Sequence, residues 1–71
     1  MVKITKDVIA QLLYKQGFAN TQVGQNLYSN LIPLSEEPVD GKTIKDMLIH
    51  CRRTIAPDLD VPRALLELDI M

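Results

Sequence analysis

Two short stretches of this 71-residue chain contain residue types that could do chemistry. The first is Asp40-Gly41-Lys42-Thr43, whose Gly-Lys-Thr end also ends a phosphate-binding loop. A complete loop of that kind follows a strand and has another glycine five residues before Gly41, where this chain has Glu36. The carboxylates of Glu36, Glu37 and Asp40 would also repel phosphate. We therefore interpret the stretch as the start of a helix.

The second stretch is His50-Cys51, a combination that thiol enzymes use. Adjacent residues on a helix point about 100° apart, so these two side chains do not meet. Cys51 is the only cysteine, and with His50 it falls short of the four ligands of a structural zinc site. We expect no catalytic residue, no metal and no cofactor, and we expect that the protein is not an enzyme.

The composition predicts one small globular domain spanning residues 1–71. Hydrophobic residues make up 46% of the chain, and the only aromatic residues are Tyr14, Phe18 and Tyr28. A net charge of −1 provides no long-range attraction for nucleic acid or an anionic membrane. No apolar run approaches the roughly 20 residues of a membrane span, and lysines stand where a signal peptide has its apolar core. We expect a soluble, intracellular protein without a membrane partner.

The sequence contains start and stop signals for the helices that position the residues discussed above. Thr5 predicts the cap of a first helix, and Gly17 predicts its left-handed end. Asn20 or Thr21 starts a second helix, which ends before Pro33. Together these two helices form a hairpin.

The second half of the chain contains the signals for two more helices. Residues 33–39 are predicted as a loop, Asp40 caps a third helix, and Pro57 closes it. A fourth helix is predicted from Val61 to Asp69, with Pro62 in its first turn. The fold class is therefore all-α, a small bundle of about four short helices.

The predicted helices carry more apolar faces than one small core can cover. A domain of this size buries only roughly 60–65% of the surface that its unfolded chain exposes. Ile49, Leu66 and Ile70 lie away from the main apolar stripes of their helices. Since one cysteine makes no internal disulfide, oligomerisation is the expected compensation. The residues predicted to be shared between the core and a second copy are Ile9, Leu12, Leu13, Phe18, Val23 and Leu27, and Leu66 and Ile70 are expected to seal the edge of this interface.

Two other functions remain open. Leu12, Gly17, Phe18 and Val23 match positions of a DNA-reading helix-turn-helix, whose second helix would offer Gln22, Gln25 and Asn26 to bases. That helix carries no Lys or Arg, which disfavours a nucleic-acid partner. The other alternative is a small regulator that docks on an unrelated protein.

A modest positive side is predicted on the third helix. Lys42, Lys45, Arg52 and Arg53 lie along it. Such clusters are most often a solvated face. A contact with an acidic partner or a nucleic-acid backbone is the alternative.

The hairpin also resembles a known family. Val8-Ile9, Leu12-Leu13, Gly17-Phe18 and Thr21 resemble the LisH motif, a dimerising helical hairpin at the N-terminus of many WD-repeat proteins. Residues 9–14, Gly17-Phe18, Pro33 and Ser35 look most like the homodimerisation domain of the WD-repeat subunit of cleavage stimulation factor. The resemblance implies a homodimer that works with other protein subunits in the nuclear machinery that cleaves pre-mRNA before polyadenylation.

Overall fold

The computed structural model describes residues 2–68, which fold into four α-helices and one short 3-10 helix. The α-helices are α1 (Lys6–Lys15), α2 (Gln22–Leu31), α3 (Gly41–Thr54) and α4 (Val61–Glu67), and the 3-10 helix is Ile32–Ser35. The predicted all-α fold class is confirmed. The described part of the chain contains no helix that is long and apolar enough to cross a membrane.

Local hydrogen bonds fix both ends of α1. The Thr5 hydroxyl accepts the Val8 N–H at 3.2 Å, which satisfies a free donor of the first turn. At the other end, Gly17 has a φ of 86°. Its N–H bonds to the Tyr14 carbonyl, and the Phe18 N–H bonds to the Leu13 carbonyl. These two bonds form a Schellman motif, so the predicted stop at Gly17 is confirmed.

The start of α2 separates the roles of two candidate residues. Thr21 caps the helix, since its hydroxyl accepts the Gly24 N–H at 2.9 Å. Asn20 takes a left-handed conformation with a φ of 60°, which asparagine tolerates better than most residues. A second left-handed residue thus follows Gly17 in the same short connection.

The segment predicted as a loop after α2 is partly helical. Ile32–Ser35 forms the 3-10 helix, with Pro33 in its first turn and Leu34 buried. The prediction of a loop over residues 33–39 was wrong for residues 33–35, which continue coiling directly after α2 and bury Leu34. Beyond it, Val39 pairs with Val2 through two backbone hydrogen bonds of 2.6 and 2.9 Å.

Asp40 and Asp60 cap α3 and α4. The Asp40 carboxylate accepts the Thr43 N–H at 2.8 Å, and Asp60 accepts the Arg63 N–H at 3.1 Å. Helix α3 ends at Thr54, shortly before Pro57, and α4 ends at Glu67. The predicted end of the fourth helix, at Asp69, lies outside the described residues.

One hydrophobic core joins all these elements. A cavity of only about 10 Å³ remains in it, at the lower limit for one water molecule. The cavity is lined by Ile4, Ile9, Leu12, Leu31, Leu34, Ile44, Leu48 and Leu68. Residues of the N-terminal segment, the hairpin, the 3-10 helix, α3 and the end of α4 therefore pack around the same point.

Candidate protein interaction site

The structure divides the predicted interface residues into buried and exposed groups. Ile9, Leu12, Leu13 and Leu27 are buried within the single chain. Sequence reasoning assigned them jointly to the core and to a second copy, whereas here they belong to one core cluster with residues of α3, α4 and the N-terminal segment. The expected surplus of apolar surface is correspondingly smaller, since one chain closes its own core.

The remaining predicted interface residues lie nearer the surface. Phe18 is partly buried against the core, Val23 is 36% exposed and Leu66 is 62% exposed. Ile70 lies outside the described residues. Ile49, which sequence reasoning placed off the main stripe of α3, is partly buried against the core. Val23 was expected on the apolar stripe of α2, but Gly24, Leu27 and Leu31 form its buried side.

An open groove of about 480 Å³ lies between α1 and α2. We call it the aromatic groove, because it is lined by all three aromatic residues of the chain. Tyr14 is 73% exposed, the largest value among the exposed large hydrophobic residues of the described chain. The lining residues are Ala10, Leu13, Tyr14, Phe18, Ala19, Asn20, Thr21, Gly24, Gln25, Tyr28 and Ser29.

Sequence reasoning identified only part of this groove. Phe18 is among the predicted interface residues and helical spacing places Tyr28 on the apolar side of α2, but no spacing gives Tyr14 a role. The usable signal was Ala10 and Tyr14, which are four residues apart and share one face of α1. Their proximity to Tyr28 depends on how the two helices pack, which periodicity does not report.

Gly24 permits the close approach of the interhelical connection to α2. A Cβ atom at this position would collide with the Phe18 carbonyl oxygen. That oxygen is held in place by the Thr21 hydroxyl, which donates to it at 2.7 Å, and by the Thr21 N–H at 3.3 Å. Glycine is unfavourable inside a helix by propensity, but here the absence of a side chain lets the hairpin close.

The α2 wall of the groove carries no charge. Residues 16–35 contain no Asp, Glu, Lys or Arg, whereas α1, α3 and α4 each contain at least two. The solvent side of α2 is rich in amides, among them Gln22 and Asn26, which lie 3.4 Å apart. Gln25 belongs to the same exposed side. Under the helix-turn-helix alternative, α2 would present exposed amides to the DNA bases. It has no Lys or Arg, however, to contact the phosphates.

A side-chain clamp joins the end of α1 to the start of α4. The Gln16 amide donates to the Asp60 carbonyl at 3.0 Å and accepts the Asp60 N–H at 2.9 Å. Lys15 and Glu67 lie 4.0 Å apart on the same side. No sequence pattern predicts this contact, because its partners are 44 residues apart.

Among the residues first considered for chemistry, Asp40, Lys42 and Cys51 make local or core contacts. Hydrogen bonds from Thr43 lower the pKa of the Asp40 carboxyl, as expected for a helix cap. Lys42 contacts Asp46 at 3.3 Å. Cys51 is buried, which raises the pKa of its thiol, while the neighbouring His50 is exposed. Among residues 2–68, no three His, Cys, Asp or Glu side chains are grouped as metal ligands.

No protein-family model matches this chain, and neither curated proteins nor solved structures provide a match. The aromatic groove and the charge distribution around it are therefore the features of this chain that indicate a function.

Proposed function

We propose that this chain is a non-catalytic protein interaction module that self-associates through the aromatic groove and the uncharged side of α2. The observation that carries the proposal is the placement of all three aromatic residues around one open groove. Tyrosine and phenylalanine are enriched at protein interfaces because they bury a large area with few rotatable bonds. A largely exposed Tyr14 supports a contact surface at this place.

Charge favours a second copy as the occupant. In a twofold symmetric dimer the same patch occurs on both sides, so a side chain near the axis faces its own copy. A charged helix would then meet like charge. Helix α2 is the only α-helix of the described chain without a charged residue, and its amides can both donate and accept hydrogen bonds. It is therefore suited to lie at the axis.

Because the core closes within one chain, the proposed dimer would form from monomers that are already folded. Ile9, Leu12, Leu13 and Leu27 are covered by their own chain, so association joins two folded monomers. A typical stable interface takes about 800 Å² from each partner. The accessible surface of this chain is 4629 Å². Such an interface would therefore cover a modest share of each monomer.

The LisH resemblance of the hairpin agrees with self-association. The narrower resemblance to cleavage stimulation factor would place the dimer, with other subunits, in the nuclear machinery of pre-mRNA 3′-end cleavage. Leu66, which the sequence predicts at the edge of the interface, is 62% exposed and is available for such a contact.

Light scattering across a dilution series tests the proposal. We expect twice the chain mass at high micromolar concentration and a shift toward the chain mass on dilution. Replacing Tyr14 with alanine removes an exposed ring without opening the core. We expect about tenfold weaker association, because truncating a central aromatic contact commonly costs more than about 1 kcal/mol.

A matched pair of charge insertions locates the interface. Gln25→Lys places a charge in the groove on α2, whereas Gln11→Lys makes the same change on an exposed position of α1 outside the groove lining. We expect Gln25→Lys to be monomeric and Gln11→Lys to associate like the unmodified protein. A wild-type protein that stays monomeric at high concentration would refute self-association. Equal association of both lysine variants would refute the assigned surface.

A further inference from the structure

The outer face of α3 carries positive charge that the described chain does not neutralise. Helix α3 contains four cationic residues and one carboxylate, Asp46, a net charge of +3 in a chain of −1. The rest of the chain is therefore −4. Lys42 is paired with Asp46 at 3.3 Å. Among residues 2–68, no carboxylate lies within ion-pair distance of Lys45, Arg52 or Arg53.

These three cations surround an apolar residue. Ile49 is four residues after Lys45, and Arg52 and Arg53 follow three and four residues later, so all four lie toward one side of the helix. Ile49 is partly buried, and the cations are exposed. We call these four residues the basic face. Arg52 and Arg53 also favour the negative end of the helix dipole, but that does not account for Lys45 in the middle of α3.

We propose that the basic face binds an acidic amphipathic helix of another protein. Lys45 and the two arginines are separated by about 10–12 Å along the axis, at about 1.5 Å per residue. Carboxylates two turns apart on a partner helix match this separation. An aliphatic side chain between them would then pack on Ile49 and on the methylene stems of the cations.

The arrangement fits a protein better than a nucleic acid. A nucleic-acid site gains affinity from each phosphate that a cation neutralises, and this face offers only three cations that are unpaired within residues 2–68. The remaining −4 charge of the chain would repel a long polyanion. An apolar residue at the centre of the charged group is also a feature of protein interfaces, whose centres are poorer in charge than their rims.

This binding is separate from self-association. The basic face and the aromatic groove share no residue. A monomeric Gln25→Lys variant should therefore still bind the acidic helix. In a dimer the two basic faces would add avidity for a partner that reaches both.

Fluorescence anisotropy with synthetic helical peptides tests the proposal. The probe carries Glu at positions matching Lys45, Arg52 and Arg53 and Leu at the position matching Ile49. One control peptide replaces its Glu residues with Gln, and another replaces its Leu with Gln. We expect saturable binding of the probe at low salt and weaker binding as salt rises. Each control peptide should bind at least about tenfold more weakly than the probe.

Protein variants provide the matched control. Arg52→Gln combined with Arg53→Gln removes two charges from the basic face. Lys6→Gln combined with Arg63→Gln removes two exposed charges from α1 and α4. We expect about tenfold weaker binding for the first pair and a change within about twofold for the second. Equal losses, no saturable binding of the probe, or tighter binding of mixed-sequence RNA or DNA duplexes would each overturn the proposal.

Discussion

At the scale of single residues, Gly24 shows that helix propensity and tertiary packing can oppose each other. Alanine is favoured over glycine by roughly 1 kcal/mol inside a helix. At this position, however, a Cβ atom meets the backbone carbonyl of Phe18, which two hydrogen bonds from Thr21 hold in place. Backbone cannot move aside as a flexible side chain can. Packing therefore outweighs propensity here.

We expect Gly24→Ala to lower the free energy of unfolding by about 2 kcal/mol or more, because the hairpin must open to accept the methyl group. Urea denaturation measures the change. Gln25→Ala, at the next and exposed position of the same helix, should change stability by no more than about 0.5 kcal/mol. A Gly24→Ala variant as stable as the wild type would contradict the role of this close approach.

Sequence reasoning recovered apolar character better than the location of each residue. Leu12 and Leu27 were predicted to lie on the apolar stripes of α1 and α2, respectively, and both are buried. Val23 was predicted on the same stripe of α2 as Leu27 but is 36% exposed. A stripe read from sequence spans a wide arc of the helix, and the neighbouring elements decide which part of that arc is covered.

At the scale of helices, the Asp40 cap of α3 responds to pH. Hydrogen bonds from Thr43, followed by the charge of Lys42, hold the pKa of Asp40 below its ordinary value of 3.8. The folded state therefore binds this proton less readily than the unfolded state. The stabilisation is present above about pH 4 and is lost as the pH falls through the pKa of the folded state.

Asp40→Asn isolates this contribution, because asparagine keeps an oxygen for the Thr43 N–H but does not titrate in this range. We expect the melting temperature of the wild type to fall more steeply between about pH 4 and pH 2 than that of the variant. Thermal denaturation followed by circular dichroism at each pH measures both. Parallel curves for the two proteins would show that the Asp40 charge does not contribute.

Helix ends were predictable where local chemistry fixes them. Thr5, Gly17 and Asp40 act within one turn of the chain, and the structure confirms each of them. The 3-10 helix at Ile32–Ser35 was missed, because the local sequence around Pro33 allows either a loop or a tight turn. Burial of Leu34 against the rest of the core decides between them.

At the scale of the whole molecule, the proposed self-association of folded monomers would couple stability to concentration. Unfolding of a dimer releases two chains, so the melting temperature rises with protein concentration. We expect a rise of a few degrees from low to high micromolar concentration, since about 1 kcal/mol shifts the midpoint by about 4–8 °C in a domain of this size.

Differential scanning calorimetry of the wild type and of Gln25→Lys separates this effect from the intrinsic stability of the fold. The variant should remain folded, with a midpoint independent of concentration, because its core is closed within one chain. A concentration-independent midpoint of the wild type would contradict self-association. An unfolded Gln25→Lys variant would instead indicate that the fold depends on its partner.

The amino-acid sequence by itself determined the helical class, most helix boundaries and the absence of charge along α2, because periodicity, caps and charge are properties of neighbouring residues. Tertiary structure alone decided that the core closes within one chain and that Tyr14 and Tyr28 flank the same groove. It also decided that Gln16 clamps Asp60. Each of these depends on contacts between distant segments, whose relative positions are set by packing and are not encoded in any single helical pattern.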